Sequence, residues 1–233
     1  MVDHQLVYQE EADRYHRLIE REDFQANLLP AIQKITPLAE LDLLDLGAGT
    51  GRLAGMLGPG ARRICALDAS PHMLTVALEQ LRRLPEKNWL TAAADHRAIP
   101  LPTASVDVVI SGWSICYLVV WQGKGWKSAL ADGLAEIKRV IRPGGKLIII
   151  ETLGTGVLEP QPPEKLQGYF DTLDDLGFQR SWIRTDYKFR NLEEAIELVG
   201  FFFGEEMLSK ISREPEPILP ECTGIWWSQE VQP

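Results

Sequence analysis

Residues 43–52 read Leu-Leu-Asp-Leu-Gly-Ala-Gly-Thr-Gly-Arg, and this stretch decides the fold. A largely apolar run over residues 41–46 predicts a buried parallel strand. The three glycines that follow let the backbone turn sharply and let a ligand approach it closely. Asp45 stands at the end of the strand, where we expect its carboxylate to reach a cationic group of a ligand. The stretch therefore predicts a nucleotide-type pocket at the carboxyl end of a first strand.

Two other glycine loops bind nucleotides, and the spacing here matches neither. A P-loop ends in Gly-Lys-Ser or Gly-Lys-Thr, whereas Arg52 and Leu53 follow the last glycine. A dinucleotide loop has the spacing G-x-G-x-x-G, whereas this loop has G-x-G-x-G. A tight strand-to-helix turn without a ligand remains the alternative interpretation.

Further apolar runs also end in polar residues. They are Ile64–Leu67 before Asp68, Trp89–Ala94 before Asp95, and Val106–Ile110 before Ser111. Asp68 follows the glycine loop at the offset of about 20 residues at which an acidic residue accepts ribose hydroxyls. Because ligands of open α/β sheets bind outside the carboxyl ends of the strands, we expect these carboxylates to share one pocket.

The order of elements predicts the architecture. Ser70 and Pro71 are typical of a helix start, and the apolar positions of residues 126–141 follow a helical period. Strands at 146–150, 178–189 and 225–228 complete the pattern. The sequence predicts an α/β, Rossmann-like fold with a seven-stranded, mostly parallel sheet and helices on both faces.

Two segments outside this pattern are predicted to cover the site. Residues 1–40 form an N-terminal lid, helical over 3–36, and residues 41–233 form the core domain. A cap insertion spans residues 190–221, between the sixth and seventh strands, with a helical pattern over 191–211. An ordinary packing helix is the alternative for this insertion.

Five segments, taken in order, carry a resemblance to a known family. They are residues 44–52, 66–74, 94–102, 106–111 and 134–147. The chain resembles the class I S-adenosylmethionine-dependent methyltransferases over about residues 41–152. It is most similar to the broad subfamily that methylates small molecules such as quinone precursors.

The resemblance implies S-adenosylmethionine as cofactor and a set of residues around it. Asp68 would hold the ribose hydroxyls, Met73 would pack on adenine, and Asp95 would accept from the adenine amino group. The remaining expected cofactor contacts are Tyr15, Asp45, Gly47, Ala48, Gly49, Gly51, Ala69, His96 and Ser111.

The chemistry expected of such a site is alignment for in-line displacement. A general base is needed only for some acceptors, and His16 and His96 are the candidates; a packing histidine is the alternative for each. Trp113 and Tyr117 are expected to line the acceptor pocket, with core packing as the alternative. No cluster has metal-ligand spacing, so neither a metal nor a covalent nucleophile is predicted.

Composition limits the partners. The chain has 233 residues and a formal net charge of −9, and its basic clusters are short, which disfavours a nucleic-acid substrate. The Asn-Pro-Pro-Tyr motif of amino-nitrogen methylases does not follow the fourth strand. The apolar stretch 108–121 is too short to span a bilayer. Charges within the first fourteen residues argue against a signal peptide, and we expect a cytoplasmic protein.

The sequence therefore predicts an enzyme that methylates a small molecule at O, N or C. A non-catalytic, cofactor-binding regulatory subunit and an RNA or protein methyltransferase are the alternatives. An NAD-dependent reductase is disfavoured by the glycine spacing and Asp45. The acceptor and the oligomeric state stay open, because acceptor specificity in this fold depends on the cap and on the loop after the fourth strand.

Overall fold

The structure is a computed structural model, and it describes residues 2–228. Its strands are β1 Asp42–Leu46, β2 Arg63–Asp68, β3 Trp89–Ala93, β4 Val106–Gly112, β5 Ile141–Thr155, β6 Gln179–Arg184, β7 Tyr187–Lys188, β8 Ile218–Leu219 and β9 Glu221–Trp227. The α-helices of the described part are α1 His4–Glu10, α2 Ala12–Ile19, α3 Leu28–Ile35, α4 Arg52–Leu57, α5 Pro71–Arg82, α6 Cys116–Val120, α7 Trp126–Val140, α8 Gln167–Asp175 and α9 Leu192–Phe203.

Seven strands form one sheet in the order β3-β2-β1-β4-β5-β9-β6. The first five strands along the chain pair in parallel, and β9 runs antiparallel between β5 and β6. The predicted fold class is confirmed. The order reverses beside β1, which is the point where ligands bind in such sheets.

Both faces of the sheet are covered. Strand β1 is buried at all five positions, including its two aspartates, Asp42 and Asp45. Helices α3 and α4 pack with apolar side chains of β1 on one face. Helices α6, α7 and α8 pack on the other face, with Trp226 of β9 fully buried among them. Cys65, Cys116 and Cys222 are all buried free thiols.

The N-terminal segment is less continuous than predicted. Instead of one helical stretch over 3–36, α1, α2 and α3 are separated at Glu11 and by residues 20–27. Asp23 has a positive φ, and its carboxylate accepts the backbone N–H groups of Asn27 and Leu28. This local bonding competes with helix formation and starts α3 instead.

The C-terminal strands also differ from the prediction. The predicted strand 178–189 is interrupted after Arg184, because Tyr187 and Lys188 leave the main sheet and pair with β8. Strand β5 extends beyond the predicted 146–150 at both ends. Strand β9 begins at Glu221, four residues earlier than predicted, and Ser228 lies outside it.

The segment 190–221 packs beside the N-terminal helices. Helix α9 and a 3-10 helix over Glu205–Lys210 enclose a small apolar cluster of their own. Leu18 of α2 is buried in that cluster. Arg17 on the same helix forms a two-pronged ion pair with Glu197. The two segments outside the core fold therefore contact each other. No helix among residues 2–228 is both long enough and apolar enough to cross a membrane.

Candidate functional site

A cavity at the carboxyl ends of β1 to β4 has a volume of about 450 Å³, which is within the usual size of small-molecule sites. We call it the large cavity. Its walls include these predicted site residues: Tyr15, Gly47, Gly49, Asp68, Ala69, Met73, Asp95, His96, Trp113 and Tyr117. The structure thus brings together residues that lie as far apart in sequence as Tyr15 and Tyr117.

The glycine loop is held against the end of β2. The backbone N–H groups of Gly47 and Ala48 both donate to the Leu67 carbonyl, at 2.7 and 2.9 Å. Gly47 has a φ of +80°, and a Cβ there would lie 1.6 Å from the Ser114 Oγ. Gly49 has a φ of +53°, and a Cβ there would have no neighbour nearer than 3.8 Å, a ring carbon of Tyr15. Gly47 is therefore required by packing, whereas Gly49 leaves open space.

Asp68 occupies the end of β2 at the wall of the large cavity. One carboxylate oxygen accepts the Gly49 N–H at 2.8 Å, and the other accepts the Ser70 N–H at 2.8 Å. Burial raises the pKa of Asp68 although both bonds favour the charged form. Each oxygen retains acceptor capacity toward the cavity.

Asp45, Ala48, Gly51 and Ser111 are predicted site residues that do not line the large cavity, and Ala48 lines a second cavity instead. Asp45 is fully buried and accepts the Ala54 N–H at 2.9 Å, so it bonds the first turn of α4 instead of reaching the cavity. Burial raises its pKa to about 7. Gly51 precedes α4 and lies against Ala77 of α5. Ser111 is fully buried within β4.

The end of β3 carries a polar pair and a neutral histidine. Asp95 forms a two-pronged ion pair with Arg97, which holds its pKa at about 2. His96 bonds to the Ser114 Oγ at 2.6 Å, and burial lowers its pKa to about 4. Asp95 is thus charged and His96 neutral at physiological pH.

Aromatic side chains from helices α1 and α2 and from the segment after β4 meet near the glycine loop. The hydroxyls of Tyr8 and Tyr117 share a hydrogen bond, and Tyr15 packs edge-on against Tyr8 with 5.3 Å between ring centroids. Trp121 stacks on Tyr117 at 4.3 Å. Trp113 has a φ of +49°, a conformation that L-residues adopt at a cost and that is often found at functional sites.

His16 lines neither the large cavity nor a second cavity that lies toward β5 and β9. Its Nδ1 bonds to the Thr50 hydroxyl at 3.0 Å, which ties α2 to the glycine loop. Burial lowers the pKa of His16. Of the two histidine candidates for a general base, only His96 lines a cavity.

A second cavity, which we call the small cavity, has a volume of about 230 Å³ and lies toward β5 and β9. Seven residues line both cavities: Tyr8, Tyr15, Gly47, Gly49, Gly112, Trp113 and Tyr117. These residues form what we call the shared wall. A ligand in one cavity therefore lies next to a ligand in the other.

The small cavity contains charged residues that sequence reasoning missed. Arg52 and Glu22 form a buried ion pair. Burial raises the pKa of Glu151 to about 7 and that of Glu221 to about 8. Glu151 follows the apolar run Ile148–Ile150, so the pattern of an acid at a strand end could have identified it. No comparable signal marks Glu22 or Glu221.

The described residues hold no group of three or more His, Cys, Asp or Glu side chains placed to bind a metal ion. The site consists of two adjoining cavities with aromatic side chains between them.

Residues 44–149 match the family described as "Methyltransferase domain". A malonyl-[acyl-carrier protein] O-methyltransferase of Marinomonas sp. is 32% identical over 167 residues, which is 70% of this chain and 56% of that protein. A demethylmenaquinone methyltransferase of Lactococcus lactis is 32% identical over 129 residues, 52% of this chain and 46% of that protein. The chain thus spans about half the length of the curated relatives it matches.

Solved structures share the fold. A SAM-dependent methyltransferase from Aquifex aeolicus superimposes with a TM-score of 0.54 at 19% identity and covers 90% of each chain. The matched segment contains the glycine loop, Asp68, Asp95 and the strand ends that surround the large cavity. Residues 44–149 therefore match the methyltransferase-domain family, and the described residues share the fold of a SAM-dependent methyltransferase.

Proposed function

We propose that the chain transfers a methyl group from S-adenosylmethionine to a small-molecule acceptor. The large cavity would hold the cofactor, and the small cavity would hold the acceptor. The observation that supports this most directly is the placement of Asp68 and the open Gly49 backbone on one wall at the strand ends. When bound, the cofactor supplies an electrophilic methyl group on a sulfonium.

The residues of the large cavity fit this cofactor in shape and charge. The carboxylate of Asp68, fixed by two backbone N–H groups, is oriented to accept from the ribose hydroxyls. Met73 and Ala69 offer apolar surface for the adenine ring, and Asp95 offers an acceptor for its amino group. The ion pair of Asp95 and Arg97 has no net charge. The carboxylate of Asp68 therefore gives the cavity wall a net negative charge, which favours a sulfonium ligand.

Residues 1–40 act as the lid in this proposal, and residues 190–221 act as the cap. Tyr8 and Tyr15 of the lid lie on the shared wall, and Phe202 and Phe203 of the cap line the small cavity. His4 bonds to the Phe202 carbonyl at 3.0 Å, so lid and cap are joined over the acceptor side. Together they exclude water from the space between the two ligands.

The catalytic role that we assign to this chain is to align the two reactants. Holding two reactants in line supplies roughly 7–11 kcal/mol of a barrier. The shared wall fixes the relative position of the two reactants, because its residues line both cavities. Within this wall, the Trp113 N–H donates to the Ile150 carbonyl at 2.7 Å, which holds the Trp113 backbone in place. We propose the cytoplasm as the site of action, on the sequence grounds given above.

Calorimetric titration with S-adenosylmethionine, S-adenosylhomocysteine and NAD tests the proposal. Micromolar binding of the first two, without binding of NAD, supports it. Binding should weaken in Asp68→Ala and stay unchanged in Asp175→Asn, a matched change at an exposed position of α8. If neither sulfur nucleoside binds, the proposed function is wrong.

A further inference from the structure

The small cavity contains three acidic side chains, and two of them lack a counter-ion. Glu22 is paired with Arg52 and also accepts from the Thr185 hydroxyl. That pair is neutral as a unit. Glu151 and Glu221 are 0% and 2% exposed, and neither forms an ion pair within residues 2–228.

Each of these two carboxylates is only half satisfied. Oε1 of Glu151 accepts the Cys116 N–H at 3.0 Å and the Tyr169 hydroxyl at 3.3 Å. Oε1 of Glu221 accepts the Thr152 hydroxyl at 2.6 Å. The Oε2 atoms of both are buried and have no hydrogen-bond partner among the described residues. A buried acceptor without a partner is costly, and such atoms in native structures call for an explanation.

The other charges near these carboxylates do not supply that partner. Lys165 lines the cavity from a 3-10 turn, but it is exposed and forms no ion pair with either carboxylate among the described residues. His4 is engaged by the Phe202 carbonyl. Asp186 accepts the Glu221 backbone N–H and is itself paired with Arg184, so the Arg184 charge is already used and does not neutralise Glu221. A ligand anion would therefore be repelled from this end of the cavity, whereas a ligand cation would satisfy both free oxygens.

The remaining walls also suit an organic cation. Tyr187, Phe202 and Phe203 line the small cavity, and Trp113 and Tyr15 close it at the shared wall. Aromatic faces attract ammonium groups, and the attraction is larger where water is excluded. A volume of about 230 Å³ accommodates a small molecule.

We propose that the small cavity takes the methyl acceptor as a small organic amine, with Glu151 and Glu221 recognising its ammonium group. The claim that the amine is the methyl acceptor rests on the proposed function. The claim that the small cavity binds the amine does not. One N–H bond of the ammonium breaks, its proton forms an O–H bond on a glutamate, and the freed nitrogen lone pair becomes the nucleophile. No oxidant or further reactant is needed.

The acid strengths agree with this proton transfer. Because burial raises the pKa of Glu151 to about 7 and of Glu221 to about 8, either residue holds a proton near neutral pH. Binding of the cationic amine favours the ionised carboxylates, so binding releases protons. The groups facing Glu151 are Cys116 and Tyr169, and Lys165 lies near Cys116. Those facing Glu221 are Glu22, Asp186 with its partner Arg184, and the hydroxyls of Thr152 and Thr155.

Binding measurements with isosteric probes test the inference. The probes are phenylmethyl-, 2-phenylethyl- and 3-phenylpropylamine, each with the alcohol and the carboxylate of matching shape. They are titrated calorimetrically in saturating S-adenosylhomocysteine at pH 6 and 8. We expect at least one amine to bind tenfold or more tightly than its matched alcohol and carboxylate, and more tightly at pH 8 than at pH 6.

The glutamine variants identify the recognising groups. Glu151→Gln and Glu221→Gln should each weaken amine binding about tenfold and reduce its pH dependence, whereas the exposed Glu79→Gln should change neither. Unchanged affinity for S-adenosylhomocysteine shows that the variants are folded. Equal binding of alcohols or carboxylates, unchanged amine binding in both variants, or no binding of any amine would overturn the inference.

The two proposals fail separately. If S-adenosylhomocysteine binds and the amines do not, the methyltransferase function stands and the amine site is wrong. If S-adenosylhomocysteine does not bind, the amine titrations are repeated without it, because the two glutamates do not need the cofactor to be in place.

Discussion

The hydroxyls of Tyr8 and Tyr117 share a hydrogen bond across the shared wall, and this bond connects helix α1 to the segment after β4. Replacing either residue by phenylalanine removes the bond but keeps the ring. We expect each single change to cost about 0.5–1.5 kcal/mol of unfolding free energy. The double variant should cost less than the sum of the two, because both changes remove the same bond. Urea unfolding of the four proteins measures this coupling, and strict additivity would contradict it.

Asp68→Ala should weaken cofactor binding by about 1.5–3 kcal/mol, the usual cost of removing a charged hydrogen-bond acceptor. The same change also releases the N–H groups of Gly49 and Ser70 that it holds. Titration with S-adenosylhomocysteine measures the loss, with Asp175→Asn as the control at an exposed site. An unchanged affinity would mean that the ribose lies elsewhere.

The two loop glycines should respond differently to alanine. Gly47→Ala places a Cβ 1.6 Å from the Ser114 Oγ, whereas Gly49→Ala meets nothing nearer than 3.8 Å. Both changes strain the backbone by about 1–3 kcal/mol, but only the first also creates a clash. We expect a clearly lower melting temperature for Gly47→Ala, and weaker cofactor binding with smaller destabilisation for Gly49→Ala.

A second change separates the clash from the strain. Gly47→Ala combined with Ser114→Gly removes both atoms of Ser114 that the new Cβ would meet most closely. The double variant should recover part of the melting temperature that Gly47→Ala loses. If it recovers none, backbone strain alone accounts for the requirement for glycine.

The buried ion pair of Glu22 and Arg52 should contribute more to the free energy of unfolding than the exposed ion pair of Arg17 and Glu197. Arg52→Met leaves Glu22 buried without a cation, which typically costs about 3–5 kcal/mol of unfolding free energy. Arg17→Met removes the exposed pair with Glu197, where a loss of about 1 kcal/mol or less is expected. Urea unfolding compares the two, and equal losses would show that the buried pair has no special role.

The stability of the ligand-free protein should fall as the pH rises from about 6.5 to 8.5. Burial raises the pKa of Asp45 and Glu151 to about 7 and that of Glu221 to about 8. In the unfolded chain such groups titrate near pH 4. Between the unfolded and the folded pKa values, the folded chain therefore binds more protons than the unfolded chain. The stabilisation from these bound protons is lost as the pH rises through the folded pKa values. Each carboxyl contributes at most about 1.4 kcal/mol per pH unit.

At lower pH, His96 has the opposite effect on stability, which it increases as the pH rises. Its pKa of about 4 lies below the unfolded value, so its contribution to stability grows up to about pH 6.5 and is constant above it. Unfolding at pH 6.5, 7.5 and 8.5 thus isolates the carboxyls. Glu221→Gln should flatten the decline. A profile parallel to that of the unmodified protein would contradict the raised pKa of Glu221.

The sequence predicted the residues that line the large cavity far better than the acidic residues that line the small cavity. Asp68 and Asp95 follow apolar strands, and the parallel pairing of those strands brings them to one edge without knowledge of any side-chain contact. Glu221 starts β9, and it faces the small cavity only because that strand runs antiparallel between β5 and β6. Local pattern does not specify such a reversal.

Asp45 shows a different limit of sequence reasoning. It stands at a strand end, as Asp68 does, yet its carboxylate bonds the Ala54 N–H of the following helix. The choice between a ligand and a nearby helix start depends on the direction of one side chain, which spacing does not encode. Likewise, the Asp23 carboxylate breaks a helical pattern that periodicity alone would have continued.

The acids of the small cavity come from parts of the chain that lie outside the segment shared with the family. That segment ends at residue 149, two residues before Glu151, while Glu22 precedes it and Glu221 follows it by a long interval. Asp68, Met73 and Asp95 all lie inside it. The wall of the large cavity is thus built largely from the matched segment, whereas the acids of the small cavity come from its flanks. Grafting the flanking segments of this chain onto a protein of the matched family should transfer its choice of acceptor while the recipient keeps its own cofactor affinity.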